Sequence, residues 1–133
     1  MLPFEFVIDG PPVSQQTRRR EKRRNWIDEV QNAAKRYWPT DELPSSSLIM
    51  VKITYFYEDI SVDVDNMSKP ILDALKGLVF VDDDQVSDLL CRKRSLRETF
   101  RVENASDILV ARLNMEGEFL HIIVQETPAQ EVV

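Results

Sequence analysis

Apolar and polar positions alternate with a period of two over residues 4–8, where Phe4, Phe6 and Ile8 fall on one side and Glu5 and Val7 on the other. That pattern predicts a short strand, and Asp9, Gly10, Pro11 and Pro12 break it. After a polar connector over 13–17 the period lengthens. Trp26, Ile27, Val30, Ala33, Ala34 and Tyr37 recur at three- and four-residue spacing, which predicts a helix over 18–37. A loop rich in Pro and Ser covers 39–47. Residues 48–57 then read as a strand with apolar side chains on both faces, as for an interior strand or one that lends a face to a partner. Met67, Ile71, Ala74, Leu75 and Leu78 mark a second amphipathic helix that Gly77 should stop. Val79, Phe80 and Val81 would return the chain toward the core. Residues 86–96 predict a third strand. A short helix follows with Ile108, Leu109, Ala111, Arg112 and Leu113 in it, capped by Ser106 or Asp107, with a strand through 108–110 as the alternative. Residues 119–125 form the last strand, and those beyond about 127 a frayed tail. The order predicts one α+β domain over 1–133: a single-layer mixed sheet of about four strands, with two main helices packed on one face.

The polar positions that interrupt this pattern are unevenly placed. Asp63 and Asp65 follow the second strand two residues apart, and extended backbone would aim both to one side. Two like charges held that close are unfavourable without a cation between them. Magnesium suits such a site, since it takes one or two carboxylates and keeps positions for water and phosphate. Asp65 or Asn66 can cap the helix that starts there. Lys69 lies in its first turn, where the helix dipole disfavours a cation, so a compensating role at a phosphoryl group is plausible. Asp82, Asp83 and Asp84 arrive after that helix, and one of them can close the metal site. Gln85 is read as an ordinary loop hydrogen-bonding residue, with orientation of the acidic loop as the alternative, and Asp73 as a solvated or cap-supporting one, with support of the site residues as the alternative.

Composition narrows the choices. The single cysteine, Cys91, rules out an intramolecular disulfide or a cysteine-based zinc site and fits a reducing cytoplasm. His121 is the only histidine and sits in strand-like flanks, so Ser/His chemistry is not expected. The first residues lack the basic start and apolar run of a signal peptide, and no apolar run is long enough to span a bilayer. An EF-hand is excluded because Met67 and Ser68 stand where the calcium loop needs a ligand and a glycine. The net charge of −6 argues against a generic DNA binder. The positive charge, however, is gathered in two blocks: Arg18, Arg19, Arg20, Lys22, Arg23 and Arg24, and then Arg92, Lys93 and Arg94. The first block opposes the dipole of the helix it begins, an arrangement easier to understand if phosphates lie against it.

The run D-V-D-N-x-x-K-x-x-x-D-A-L from Asp63, followed by F-V-D-D-x-Q-V from Phe80, resembles the RusA family of Holliday junction resolvases, as does the opening F-V-I-D-G-P-P-V-S-Q-Q. The resemblance covers at least residues 4–95. It implies a RusA-like fold and a magnesium-dependent, structure-selective endodeoxyribonuclease that acts as a homodimer on branched DNA in recombination and repair. It also implies Asp63, Asp65 and Asp83 as metal ligands, with Asp82 or Asp84 as alternatives for the third, and Lys69 as the electrostatic helper. A protein that keeps the fold and binds branched DNA without cutting it is the competing class.

Overall fold

The computed structural model describes residues 1–59, 62–128 and 132. Four strands form one sheet: β1 (Phe4–Asp9), β2 (Ile49–Tyr57), β3 (Val86–Ser95) and β4 (Phe119–Glu126). Their order is β1-β4-β2-β3. β4 runs antiparallel to both β1 and β2, while β3 lies parallel to β2, so the sheet is mixed as expected. β2 is interior, which explains its apolar residues on both faces. Ile49, Val51, Ile53 and Tyr55 are buried on one side, and Phe56 on the other.

Helices α1 (Arg20–Lys35) and α2 (Ser68–Leu75) cover the first face. Trp26, Val30, Ala33 and Ala34 from α1 and Ile71, Ala74 and Leu75 from α2 join Phe6, Ile53 and Ile122 in one core. Burying each of the larger side chains stabilises the fold by roughly 1.5–3 kcal/mol. The third helix, α3 (Asp107–Leu113), departs from the expectation of helices on one face only. It packs on the reverse face, where Leu109 meets Phe56 and Phe119. The period-two pattern of β2 placed Phe56 on that face, and a buried aromatic ring needs an apolar cover. Ser106 caps α3 as predicted, its hydroxyl accepting from Leu109 N at 3.3 Å.

Two boundaries differ from the pattern. α1 is shorter than 18–37: Arg18 and Arg19 precede it, and it ends at Lys35. Tyr37 therefore leaves the apolar face and is exposed, while Trp38 turns in, edge-on to Phe4 at 5.1 Å. Trp38 Nε1 donates to Glu42 O at 3.1 Å, which satisfies its polar atom. The tail beyond 127 lies largely outside the described residues. Among the described residues, no helix is long and apolar enough to cross a membrane.

Candidate active site

The path from β2 toward the acidic segment is fixed from below. Glu118 accepts from the buried Tyr55 hydroxyl at 3.0 Å and from Glu58 N at 2.8 Å, which pins the chain as it leaves β2. Asp63 has extended backbone, but Val64–Asn66 is a 3₁₀ turn. The alternation that would have aimed Asp63 and Asp65 to one side therefore stops between them, because a three-residue turn does not keep residues two apart in register. The expected cap is also absent. The 3₁₀ turn feeds into α2 through Met67, whose backbone is helical, and no side chain caps that end. Asp63 and Asp65 are both exposed, and neither side chain makes a hydrogen bond or ion pair among the described residues. Pro70 falls in the first turn of α2, where its missing N–H is no loss.

α2 ends at Leu75, and Gly77 takes the turn beyond it with φ +86°, the conformation glycine accepts most readily. Val79 and Phe80 are fully buried, which brings the acidic segment back beside the start of β3. There Asp83–Gln85 forms a second 3₁₀ turn. Gln85 holds it in place. Its Oε1 accepts from Val81 N and Asp82 N, both at 2.8 Å, and its Nε2 donates to Ser45 O at 2.7 Å and Ser47 O at 2.8 Å. This buried amide ties the acidic turn to the 39–47 loop, a far larger role than an ordinary loop hydrogen bond.

The three adjacent carboxylates have different surroundings. Asp82 caps the turn by accepting from Asp83 N at 2.8 Å, and it pairs with Lys76 at 3.1 Å. The Lys76 ammonium holds the Asp82 carboxyl below its usual value. Asp84 is exposed. Asp83 Oδ2 takes Lys69 Nζ at 3.3 Å, whereas Asp83 Oδ1 is buried with no hydrogen-bond partner. A buried carboxylate oxygen without a donor is costly unless a cation or water meets it. Among the described residues, no three His, Cys, Asp or Glu side chains are already gathered as a metal-holding group. The carboxylates of Asp63, Asp65 and Asp83 are of the donor type a hard cation takes, and the Asp83 oxygen without a donor is open to one.

Lys69 is the centre of a charge network that also reaches α1. Its Nζ contacts Asp73 Oδ1 at 2.8 Å, one helical turn on, and Asp83 at 3.3 Å. Asp73 Oδ2 in turn accepts from Arg23 Nη2 at 2.7 Å, and Arg23 also donates to Gln15 Oε1 at 2.9 and 3.1 Å. Gln15 N donates to Asn66 O at 2.9 Å, so the 13–17 connector closes against the start of α2. Asp73 is thus neither solvated nor a cap, and Arg23 is an internal tie between α1 and α2. The hydrogen bond to Asp73 chiefly raises the Lys69 pKa above its usual 10.5 against the effect of burial, with Asp83 adding to it. Lys69 is therefore a cation at neutral pH. Burial works against ionisation of Asp73, but hydrogen bonds from Lys69 and Arg23 outweigh it and hold its carboxyl below the usual 3.8.

The sign of the pH dependence follows. A depressed carboxyl pKa contributes stability that is present above the unfolded value and lost as pH falls through the folded one. The raised Lys69 pKa contributes stability that is lost only as pH climbs through it, above 10.5. Asp73→Asn is accordingly expected to cost about 1–2 kcal/mol between pH 5 and 8, the half-exposed Lys69 side being screened by solvent. That gap should shrink as pH falls below 4. Urea denaturation of both proteins from pH 7 to pH 3 checks it, and a gap independent of pH would contradict this role. The spacing of Lys69 and Asp73, four apart on a helix, was the sequence signal for their pairing. Nothing local in the sequence pointed to Arg23.

The basic residues divide similarly. Arg18, Arg19, Arg20, Lys22 and Arg24 are exposed at the head of α1, while Arg23 is taken by Asp73. On β3, Arg92 and Arg94 face the α3 side with Thr54 and Phe56, and Lys93 stands over the Tyr57 ring at 5.9 Å on the other side. The structure therefore does not bring Arg92, Lys93 and Arg94 together as one patch.

A search of curated proteins returned no match. The family described as endodeoxyribonuclease RusA matches residues 10–103, a span that holds Asp63, Asp65, Lys69, Asp73, the acidic turn and both basic blocks. With well over half of its 133 residues matched, and with the acidic turn, Lys69 and the mixed four-stranded sheet in place, this chain belongs to the RusA family of endodeoxyribonucleases.

Proposed function

We propose that the protein is a magnesium-dependent nuclease that cuts branched DNA, four-way junctions foremost, by hydrolysis of a phosphodiester during recombination and repair. The observation that carries this reading is the pairing of Asp83 with Lys69 beside an orphan carboxylate oxygen. Asp63, Asp65 and Asp83 would hold the metal. Asp63 and Asp65 are exposed and make no ion pair among the described residues, which leaves both carboxylates available to an ion. Bound magnesium supplies polarisation of the scissile phosphate and a water of lowered pKa. Lys69, kept cationic by Asp73, places positive charge where the phosphate gains negative charge. Gln85 holds Asp83 in position, and Asp82 serves the turn.

Arg18, Arg19, Arg20, Lys22 and Arg24 would contact the DNA backbone, joined by residues of the β3 block. A near-twofold junction suits a C2 dimer that presents two sites for paired cuts. The test is incubation of synthetic four-way junctions with and without magnesium. Paired nicks are expected in magnesium and none in EDTA, while junction binding persists in both. Absence of magnesium-dependent cleavage on junctions, flaps and duplex would defeat the enzyme reading. With about five phosphate contacts, raising salt from 50 to 200 mM should weaken binding on the order of 10²–10³-fold. A flat salt response would remove the role given to the head of α1.

A further inference from the structure

The reverse face of the sheet carries a cavity of about 660 Å³, well away from the core that α1 and α2 cover. Its size is typical of a small-ligand site. Lys52, Thr54 and Phe56 of β2 form its floor beside Arg92 and Arg94 of β3, and the 100–106 segment forms its rim. Arg92 and Arg94 lie two apart on one strand, so they face the same way roughly 6.6 Å apart along it.

The charges in this cavity are unbalanced. Arg92 Nε donates to the Thr54 hydroxyl at 2.8 Å and has no carboxylate partner among the described residues. Arg94 donates to the Lys93 carbonyl, and Lys52 makes no ion pair among the described residues. The two carboxylates that line the cavity are engaged: Glu5 by His121 and Ser106, and Glu103 by Arg101 at 3.2 Å. Lys52, Arg92, Arg94 and Arg101 stand against Glu5 and Glu103 in this lining, so the concave site is net positive and favours an anionic ligand. The same cavity exposes an aromatic surface. Phe100 is half-buried, 5.4 Å from Phe56 and tilted 51° to it, and both rings line the space. A cationic cluster beside an aromatic ring is the chemistry that receives a phosphate and a base together. A few hundred cubic ångströms take one nucleotide unit, not a double helix.

We propose that this cavity binds an unpaired nucleotide, with its phosphate on Lys52, Arg92 and Arg94 and its base against Phe100. The ligand can be a free mononucleotide or one nucleotide of an unpaired DNA strand. The inference sharpens the DNA-contact role given above to the β3 block, yet it does not need the acidic site to cleave.

The test is run in EDTA, so that cleavage plays no part. Binding of a fluorescently labelled pentathymidylate is followed by anisotropy for wild type, Lys52→Met and Phe100→Ala, with thermal midpoints to confirm folding. Lys52→Met keeps the aliphatic stem of the side chain, and Phe100→Leu stands in if Phe100→Ala does not fold. Both folded variants are expected to raise Kd at least fivefold. A change below fivefold in both overturns the proposal, whatever the outcome of the cleavage assays. Thymidine monophosphate is then added as competitor. Displacement of the oligomer identifies a site for the free nucleotide, and failure to displace it identifies a site for a nucleotide within a strand.

Discussion

Asp63→Asn is expected to lower magnesium-dependent junction cleavage about a thousandfold while leaving both fold and junction binding intact. The side chain is exposed and makes no hydrogen bond or ion pair among the described residues, so its amide isostere should change stability by no more than about 0.5 kcal/mol. Under the proposed ligand set, its effect falls on the metal. A ligand carboxylate contributes several kcal/mol to charge stabilisation through the ion it holds, and each ~1.4 kcal/mol is tenfold in rate. Removing one negative charge from a site facing DNA phosphates should, if anything, tighten binding in EDTA. The measurement is a single-turnover cleavage rate beside an EDTA binding isotherm. A variant that cuts at the wild-type rate would take Asp63 out of the ligand set. One that loses both cutting and thermal stability would show that Asp63 matters to the fold instead.

Gln85→Ala is expected to produce the largest loss of stability among the polar substitutions considered. One buried side chain satisfies four backbone groups, those of Val81, Asp82, Ser45 and Ser47. Each such bond is worth about 0.5–1.5 kcal/mol net, and a group left dry without a partner costs more. Water can reach some of the vacated groups, so the sum should be about 2–4 kcal/mol, or on the order of 10 °C in thermal midpoint for a domain of this size. The turn that carries Asp83 would lose its anchor, so cleavage should fall more steeply than the unfolded fraction explains. Gln85→Glu separates the two halves of the anchor. It keeps the oxygen that accepts from Val81 N and Asp82 N and removes the donor to Ser45 and Ser47. An intermediate loss of stability is expected from it. A cost below 1 kcal/mol for Gln85→Ala would mean that the acidic turn is held by something other than this amide.

The contrast between Gln85 and Asp82 illustrates how far a linear reading reaches. Three adjacent aspartates look equivalent in sequence. In the structure Asp82 is occupied by Lys76 and by the turn it caps, Asp83 is aimed at Lys69, and Asp84 is exposed. Similarly, the basic block at the head of α1 read as a single phosphate-binding surface, yet Arg23 turns inward to Asp73, fifty residues on. The pairing of Lys69 with Asp73 was missed in the sequence, although helical geometry sets neighbours at four-residue spacing. The pairing with Arg23 was not legible there, because it depends on how α1 packs over α2.

Local periodicity by itself determined the four strands and the two main helices, and limited β2 to an interior strand or one that lends a face to a partner, because alternation of apolar residues reports which backbone geometry can bury them. It also determined which residue types could meet a hard cation and a phosphate. The tertiary structure alone decided that α3 covers the reverse face, that β3 pairs parallel to β2, and that Arg92 and Arg94 part company with Lys93 across the sheet. It alone gave Asp73, Asp82 and Asp83 their partners. The reason is physical: side-chain charge is local information, but the environment that sets its role is assembled by chain segments that meet only on folding.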